Sequence, residues 1–563
     1  MSKKLYMQMR KRHQAEEGGI IHAWGGRLTV ALVYPNTYHN AMSNLGFLSV
    51  HHWLNQRDDT LCERFFLPDP DALADHKKGG VPLFSIESER QLAEFDVIAF
   101  SISFENDYLN LPILFDLGRI PWGKIDRTEQ TPLLLAGGVC AFLNPEPLAQ
   151  QFDLFAVGEA EAILPNLIPG LIADTGRSRD NLLRLSNLPG IYAPVLYEPR
   201  YDTAGVLLGW DKEPAAPFPV ERQWLADLDS SACRSYITTP DTEFGDMALT
   251  EISRGCGHGC RFCAAGFIFR PPRFRSLAAV EKQIDLGLCQ HKKQGLVSPA
   301  VGDYPQLNAL QKGILAKGGS VSVASLRIDT LTAADVEALS LSGHKTVALA
   351  PEAGSQRLRD AIHKRIDTKQ ILHAVKLLSD GGVPNLKLYF LIGLPGETAA
   401  DLVEMLELVS SIRAVWLEAG RKKGWLGQIH LSVNPFVPKP FTPFQWAAMA
   451  TEADLKKKMK QLRLAIGKIP NLSISFESAR AALLQGFLSR GGREVGRLLP
   501  ELASGERYLQ ASRKHGVDWR EILHTEKSAD AVFPWEVIDC RVDRDLLWRE
   551  WEQAQSVAQI SSD

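Results

Sequence analysis

The chain has 563 residues, 45% of them apolar and 23% charged, with a formal net charge of −3 at pH 7. This length and apolar share suit two to four domains with their own cores, and the charge argues neither for a nucleic-acid binder nor against a small local basic groove. No run approaches about 18 apolar residues, and the basic N-terminus lacks the apolar stretch of a signal peptide, so the expectation is a cytoplasmic protein with no membrane span.

In chain order, Leu28 to Tyr38 is a continuous apolar run ending in turn chemistry, as in a strand buried on both faces. A helix-like segment from about Asn44 to Gln56 follows, then a helix ending near Glu94 and an apolar strand from Asp96 to Phe104. A helical stretch through Leu117 leads to strand-like runs from Pro132 to Phe142 and from Phe152 to Pro165. Strands alternating with helices predict a doubly wound parallel sheet, whose ligands sit outside the carboxyl ends of the strands. Those ends carry Tyr34, Asn36, Ser101, Ser103, Gly137, Gly138, Gly158 and Glu159, with an Asn-Pro-Glu-Pro turn at Asn144 to Pro147.

Residues 188–245 are richer in Pro and Gly and read as a linker, with Cys233 alone in it. A second alternation then gives six strands, at Ala248 to Ser253, Gly295 to Pro299, Ser320 to Ser325, Lys345 to Ala350, Leu386 to Ile392 and Ile429 to Asn434. With five intervening helices this predicts a partial (βα)6 barrel of the TIM type. The first strand runs into Arg254-Gly-Cys-Gly-His-Gly-Cys-Arg-Phe-Cys263, placing Cys256, Cys260 and Cys263 at Cys-x3-Cys-x2-Cys spacing. Three thiolates can hold three irons of a cubane cluster and leave the fourth without a protein ligand. Zinc on these cysteines and His258 would be cramped, since structural zinc sites use separated ligand pairs. A four-cysteine electron-transfer cluster lacks its fourth thiolate, because the other five cysteines are scattered. Arg270, Arg273 and Arg275 follow the loop, either as a solvated connector or as anion ligands of the kind also open to Arg327.

The cysteine motif, its place after the first barrel strand and Phe262 before the last cysteine together resemble the radical S-adenosylmethionine (SAM) superfamily. The resemblance implies a 4Fe-4S cluster, SAM chelated to the open iron, and cleavage to a 5′-deoxyadenosyl radical. It also implies SAM contacts at Phe262, Gly302, Asp303, Glu352, Gly393 and Pro395, and an external electron donor such as flavodoxin or ferredoxin. The N-terminal pattern resembles the cobalamin-binding domain that precedes many such enzymes, which makes the strand-end residues candidate cobalamin contacts and methyl transfer the expected reaction. The Asp-x-His-x-x-Gly motif that supplies an axial histidine is missing, so a sheet with a structural or substrate-docking role stays open. Cobalamin-independent radical modification and a non-catalytic redox or corrinoid sensor are the other readings.

Past the Pro- and aromatic-rich Asn434 to Trp446, the sequence predicts a mainly helical C-terminal module with a lysine-rich face, for which nucleic-acid contact is possible but not indicated. Ser489 to Leu499 and Phe533 to Trp551 resemble the tail of a bacterial branch of the same enzymes. The expected domains are thus 1–187 (cobalamin-type), 188–245 (linker), 246–446 (barrel) and 447–563 (C-terminal module).

Overall fold

The structure, a computed structural model, describes residues 2–203, 205–323 and 326–559. The N-terminal sheet contains β1 (Leu28–Tyr34), β2 (Thr60–Phe66), β3 (Val97–Ser101), β4 (Leu133–Gly137), β5 (Leu154–Ala156) and β6 (Ile191–Tyr192), in the order β2-β1-β3-β4-β5-β6. All pairs are parallel except the last, as expected of a doubly wound sheet. Every residue of β1 is buried, which its unbroken apolar run requires.

Strand β2 is absent from the sequence reading. Its central residues are Glu63 and Arg64, which interrupt the apolar signal yet are 4% and 1% exposed. Arg64 is tied to Glu16 and Glu87 at 2.6 Å each, and Glu63 accepts from Trp24 Nε1 at 2.7 Å and Ser88 Oγ at 2.6 Å. Pairing is what lets these charges lie inside a sheet.

The barrel strands are β7 (Met247–Glu251), β8 (Lys293–Val297), β9 (Ser320–Val323), β10 (Thr346–Glu352), β11 (Asn385–Ile392) and β12 (Gln428–Pro435), one for each strand the sequence predicts. The last two residues of the third, Ala324 and Ser325, lie outside the described residues. Among those described, the strands form a sheet β7-β8-β9 and a second sheet β10-β11-β12-β13, where β13 is Leu472–Phe476. Strand β13 pairs parallel with β12, so the barrel sheet continues beyond the expected boundary at residue 446. Helices Leu277–Leu288, Leu307–Ala316, Ala333–Leu341, Thr368–Asp380 and Ala399–Lys423 connect the strands. Two apolar cores, one around Val280 and Leu310 and the other around Leu388 and Trp416, fill the two halves.

The C-terminal segment does not stand apart. Its Leu483, Phe487, Trp535 and Trp551 share one core with Leu32, Phe100 and Phe152 of the N-terminal sheet. Two motifs that look independent in sequence also bind each other. Asn144 Nδ2 donates to the carbonyls of Ser489 and Gly491 at 3.0 and 2.8 Å, and Glu146 pairs with Arg493 at 2.8 Å. The Asn-Pro-Glu-Pro turn therefore docks the Ser-Arg-Gly-Gly-Arg segment. Val220 of the linker pairs in parallel with Ile538, so this tail also reaches the interdomain segment.

Candidate active site

The cysteine loop leaves the carboxyl end of β7 and is closed at its base by two short antiparallel strands, Ser253–Arg254 and Arg273–Phe274. Between them the loop presents Cys256 and Cys263 half-buried and Cys260 buried. Burial pushes the Cys263 thiol up, while the main-chain N–H groups of Gly266 and Ala265 favour its thiolate. Burial raises Cys260 too, opposed by the Lys364 ammonium and Arg327 guanidinium that face it.

His258 does not join the cysteines. Its Nε2 lies 2.6 Å from Asp303 Oδ2, and among the described residues no three His, Cys, Asp or Glu side chains converge as ligands of one ion. A cubane cluster takes each cysteine on a different iron, so its ligands stand apart around the cluster. The three thiols and the sulfur-directed amides fit such a cluster better than they fit zinc.

Three expected SAM contacts gather at this mouth. Gly302 and Asp303 lie in the turn after β8, with Asp303 on His258. Glu352, at the end of β10, accepts from Lys364 Nζ at 3.1 Å, and burial raises its carboxyl against that cation. Glu352, His363 and Arg365 all hold left-handed backbone, at φ 67°, 56° and 54°. Such strain in non-glycine residues gathers where a surrounding structure enforces a site. Phe262 packs against the core that links the N-terminal sheet and the C-terminal segment. Gly393 and Pro395 line a different cavity, of about 710 Å³, with Trp551 and Ala558 of the C-terminal helix (Arg544–Gln559) on its other wall.

The arginines after the loop divide. Arg273 pairs with Glu159 at 2.7 Å and Arg275 with Glu251 at 2.6 Å, so both are structural ion-pair partners rather than solvated connectors. Arg327 pairs with Asp329 at 2.7 Å. Arg270 stacks over Phe267 at 4.9 Å, and its buried Nε has no hydrogen-bond partner among the described residues. A Cβ on Gly259 of the cysteine loop would come 2.9 Å from Arg270 Nη2, which places this guanidinium against the loop.

Residues the sequence reading did not single out also hold the loop. The Arg261 amide donates to Ile362 O at 3.0 Å, and its guanidinium reaches Ala361 O at 2.9 Å, Glu550 at 2.8 Å and Gln553 at 3.0 Å. Arg261 lies inside the cysteine motif and could have been questioned there. Lys364 carried no local signal, because only the fold brings it to Cys260.

A cavity of about 1130 Å³ lies between the N-terminal sheet and the barrel. Ser101, Ser103, Gly138, Gly158 and Glu159 line it from the sheet, and Ser253, Arg254, Gly255 and Ser298 from the barrel. Tyr34, Asn36 and Gly137 are not on its wall. Instead, Asn44, itself on the wall, donates to Tyr34 Oη and Ser103 Oγ at 3.3 Å each, and Asn36 donates to Asp107 at 2.7 Å. The two sheet-end glycines on the wall serve protein packing. Gly138 (φ 92°) and Gly158 (φ 130°) accept the close approach of Ile102 and Gln223 main chain, where a Cβ would collide. Aromatic side chains complete the wall: Trp53, Phe142, Phe269, and Tyr236 stacked 3.4 Å from His52. The volume and wall suit a large, partly apolar ligand, and the donor set includes no histidine from an Asp-x-His motif.

A cysteine loop on a partial barrel, fitted for a cubane cluster and preceded by a parallel sheet, defines the class. Residues 46–194 match the family described as radical SAM proteins, N-terminal, and residues 250–409 match the radical SAM superfamily. The chain carries these radical SAM domains and is a radical SAM enzyme, for which the domain implies a 4Fe-4S cluster and SAM. An uncharacterised protein of Methanocaldococcus jannaschii is 29% identical over 495 residues, 86% of this chain and 94% of that one. The radical SAM methyltransferase TsrM from Kitasatospora setae, solved with cobalamin and a [4Fe-4S] cluster, aligns over 76% of each chain at 14% identity and TM-score 0.49. The cobalamin-dependent enzyme OxsB, with aqua-cobalamin and SAM bound, aligns over 95% of this chain and 79% of its own at 14% identity and TM-score 0.45. Among the described residues no helix is long and apolar enough to cross a membrane.

Proposed function

We propose that the protein is a cobalamin-dependent radical SAM methyltransferase, with cobalamin in the interdomain cavity and the substrate entering between that cavity and the cluster loop. The carrying observation is the cavity itself: about 1130 Å³, bounded on one side by strand ends of the parallel sheet and on the other by the stem of the cysteine loop. Brought there, a corrinoid would lie against Arg254 and Gly255 at the root of the cysteine loop.

Cys256, Cys260 and Cys263 would hold the cluster, and the bound cluster with SAM would supply the radical chemistry. The chain's own residues then bind, orient and shield. Lys364 and Arg327 place positive charge beside Cys260, and Lys364 fixes Glu352, the candidate ribose contact. Arg270, unpartnered at Nε and seated on the loop, is the candidate for the SAM carboxylate. Trp53, Phe142 and Phe269 keep the cavity wall apolar and limit water. An external electron donor such as flavodoxin or ferredoxin belongs to this reading, as does a cytoplasmic location.

Arg270→Ala should weaken SAM binding by roughly tenfold, the effect of losing one charge-assisted contact, with iron content unchanged. Equilibrium dialysis of SAM on the reconstituted protein, with iron assayed alongside, checks this, and parental affinity would leave Arg270 a packing residue. The reading as a whole is tested by anaerobic reconstitution with dithionite, SAM and hydroxocobalamin. The expected result is 5′-deoxyadenosine release together with a corrinoid spectrum that stays with the protein through gel filtration. Deoxyadenosine without retained corrinoid would instead support cobalamin-independent chemistry, and retained corrinoid without deoxyadenosine a sensor.

A further inference from the structure

The stem of the cysteine loop sets two like charges side by side. Arg254 and Arg273 are register partners in the short antiparallel pair that closes the loop. Opposed guanidiniums destabilise such a pair unless a carboxylate lies between them. The carboxylate that does so comes from the other domain. Glu159, at the carboxyl end of the N-terminal sheet with its side chain 4% exposed, accepts from Arg254 Nη1 at 2.8 Å. It accepts from Arg273 Nη1 and Nη2 at 3.0 and 2.7 Å, and from the Leu225 amide at 3.0 Å. Its own amide donates to Gln223 O at 2.9 Å, so the residue is fixed at both ends.

The neighbouring charges extend the same junction. Arg254 also reaches Glu161 at 3.0 Å and Glu251 at 2.9 Å, and Glu251 takes Arg275. Burial alone would raise the Glu159 carboxyl, but Arg273 and Arg254 outweigh it and hold it below the usual carboxylate range. Immediately after Arg254, Gly255 (φ 89°) is packed so that a Cβ would collide with Phe269 O. At that crossing the loop's two ends meet backbone to backbone, with no side chain between them to absorb a shift.

We propose that Glu159 is a positioning residue: through Arg254 and Arg273 the N-terminal domain sets the geometry of the cluster loop. The assignment rests on the cysteine loop being the cluster site, and it replaces the expected cobalamin contact at Glu159, whose two oxygens are already engaged by protein donors. Because Glu159, Glu161, Glu251 and Arg254 all line the interdomain cavity, a molecule bound there lies against the groups that hold the loop. The cavity and the cluster are thereby coupled through one carboxylate. Glu159→Gln would take from Arg273 its carboxylate partner and leave Arg254 drawn only toward Glu161 and Glu251, so that the two opposed guanidiniums lose the charge shared between them and the stem would part.

The test reconstitutes the parent chain, Glu159→Gln and Glu159→Asp anaerobically, with a circular dichroism melt as a check of folding. Iron loss to a chelator and the electron paramagnetic resonance spectrum of the reduced cluster with and without SAM are the readouts. Glu159→Gln is expected to lose iron about 10- to 100-fold faster, as for other partners that orient ligands, and to show an altered SAM-dependent spectrum. Glu159→Asp, which keeps the charge, should recover part of both. Iron retention and spectra identical to the parent in Glu159→Gln would overturn the proposal. Should Glu159→Gln fail to fold, Arg254→Lys decides, since it keeps the charge and loses the fork: faster iron loss supports the assignment and parental retention refutes it. A parent chain that bound no iron would remove the cluster reading and the proposal with it.

Discussion

Cys260→Ala is expected to abolish 5′-deoxyadenosine release and the visible absorbance of the reconstituted protein, whereas Cys289→Ala should leave both at the parental level. Cys260 is the buried member of the three and the one beside the positive charge of Lys364 and Arg327, with Glu352, an expected SAM contact, close to both Cys260 and Cys263. Alanine removes one of only three thiolates on the loop, and the remaining five cysteines are elsewhere in the chain. Two ligands do not hold a cubane against exchange with solvent. Cys289 is exposed at the end of Leu277–Leu288, and its Sγ donates to Asp285 O of its own helix at 3.3 Å, so the comparison separates ligand loss from general thiol loss. Iron content, absorbance and deoxyadenosine are read on the same samples. Deoxyadenosine from Cys260→Ala at the parental rate would remove the cluster assignment.

The barrel was legible because short segments rich in Val, Leu and Ile alternate with helix-length stretches, and the six predicted strands are all observed. The cysteine loop was legible because its chemistry lies within ten consecutive residues. What escaped has a common physical origin in long-range pairing. Strand β2 was hidden by Glu63 and Arg64, whose partners Glu16, Trp24, Glu87 and Ser88 are distant in sequence. Lys364 and Arg254 owe their places to Cys260 and Glu159, which no local pattern connects to them. Glycines 138 and 158 stand at strand ends where a ligand is expected, but what approaches them closely is protein backbone. The C-terminal module, separable in sequence, closes the cysteine loop through Glu550 and Gln553, so the domain division does not follow the division of labour at the site.

Arg64→Met should destabilise the N-terminal domain by about 3–5 kcal/mol, the cost of leaving buried charge without its partner. For a domain of this size that corresponds to a fall in midpoint of roughly 10 °C, measurable by thermal denaturation. Arg64 is 1% exposed and donates to Glu16 at 3.0 and 2.6 Å and to Glu87 at 2.6 Å, so methionine keeps the volume and strands two carboxylates. The pH dependence gives a second signature. Burial would raise Glu87, but Arg64 and then His51 overcome it and lower the carboxyl from 4.5 to about 2. A depressed carboxylate contributes stability above its unfolded pKa and loses it as pH falls through the folded one, here between about 4.5 and 2. Without Arg64 the sign reverses, because burial then raises Glu87 and protonation relieves the penalty. The gap between parent and Arg64→Met should therefore narrow as pH is lowered from 7 toward about 4, and Arg64→Met combined with Glu87→Gln should recover part of the loss at pH 7. A parental midpoint for Arg64→Met would show that β2 does not depend on this pair.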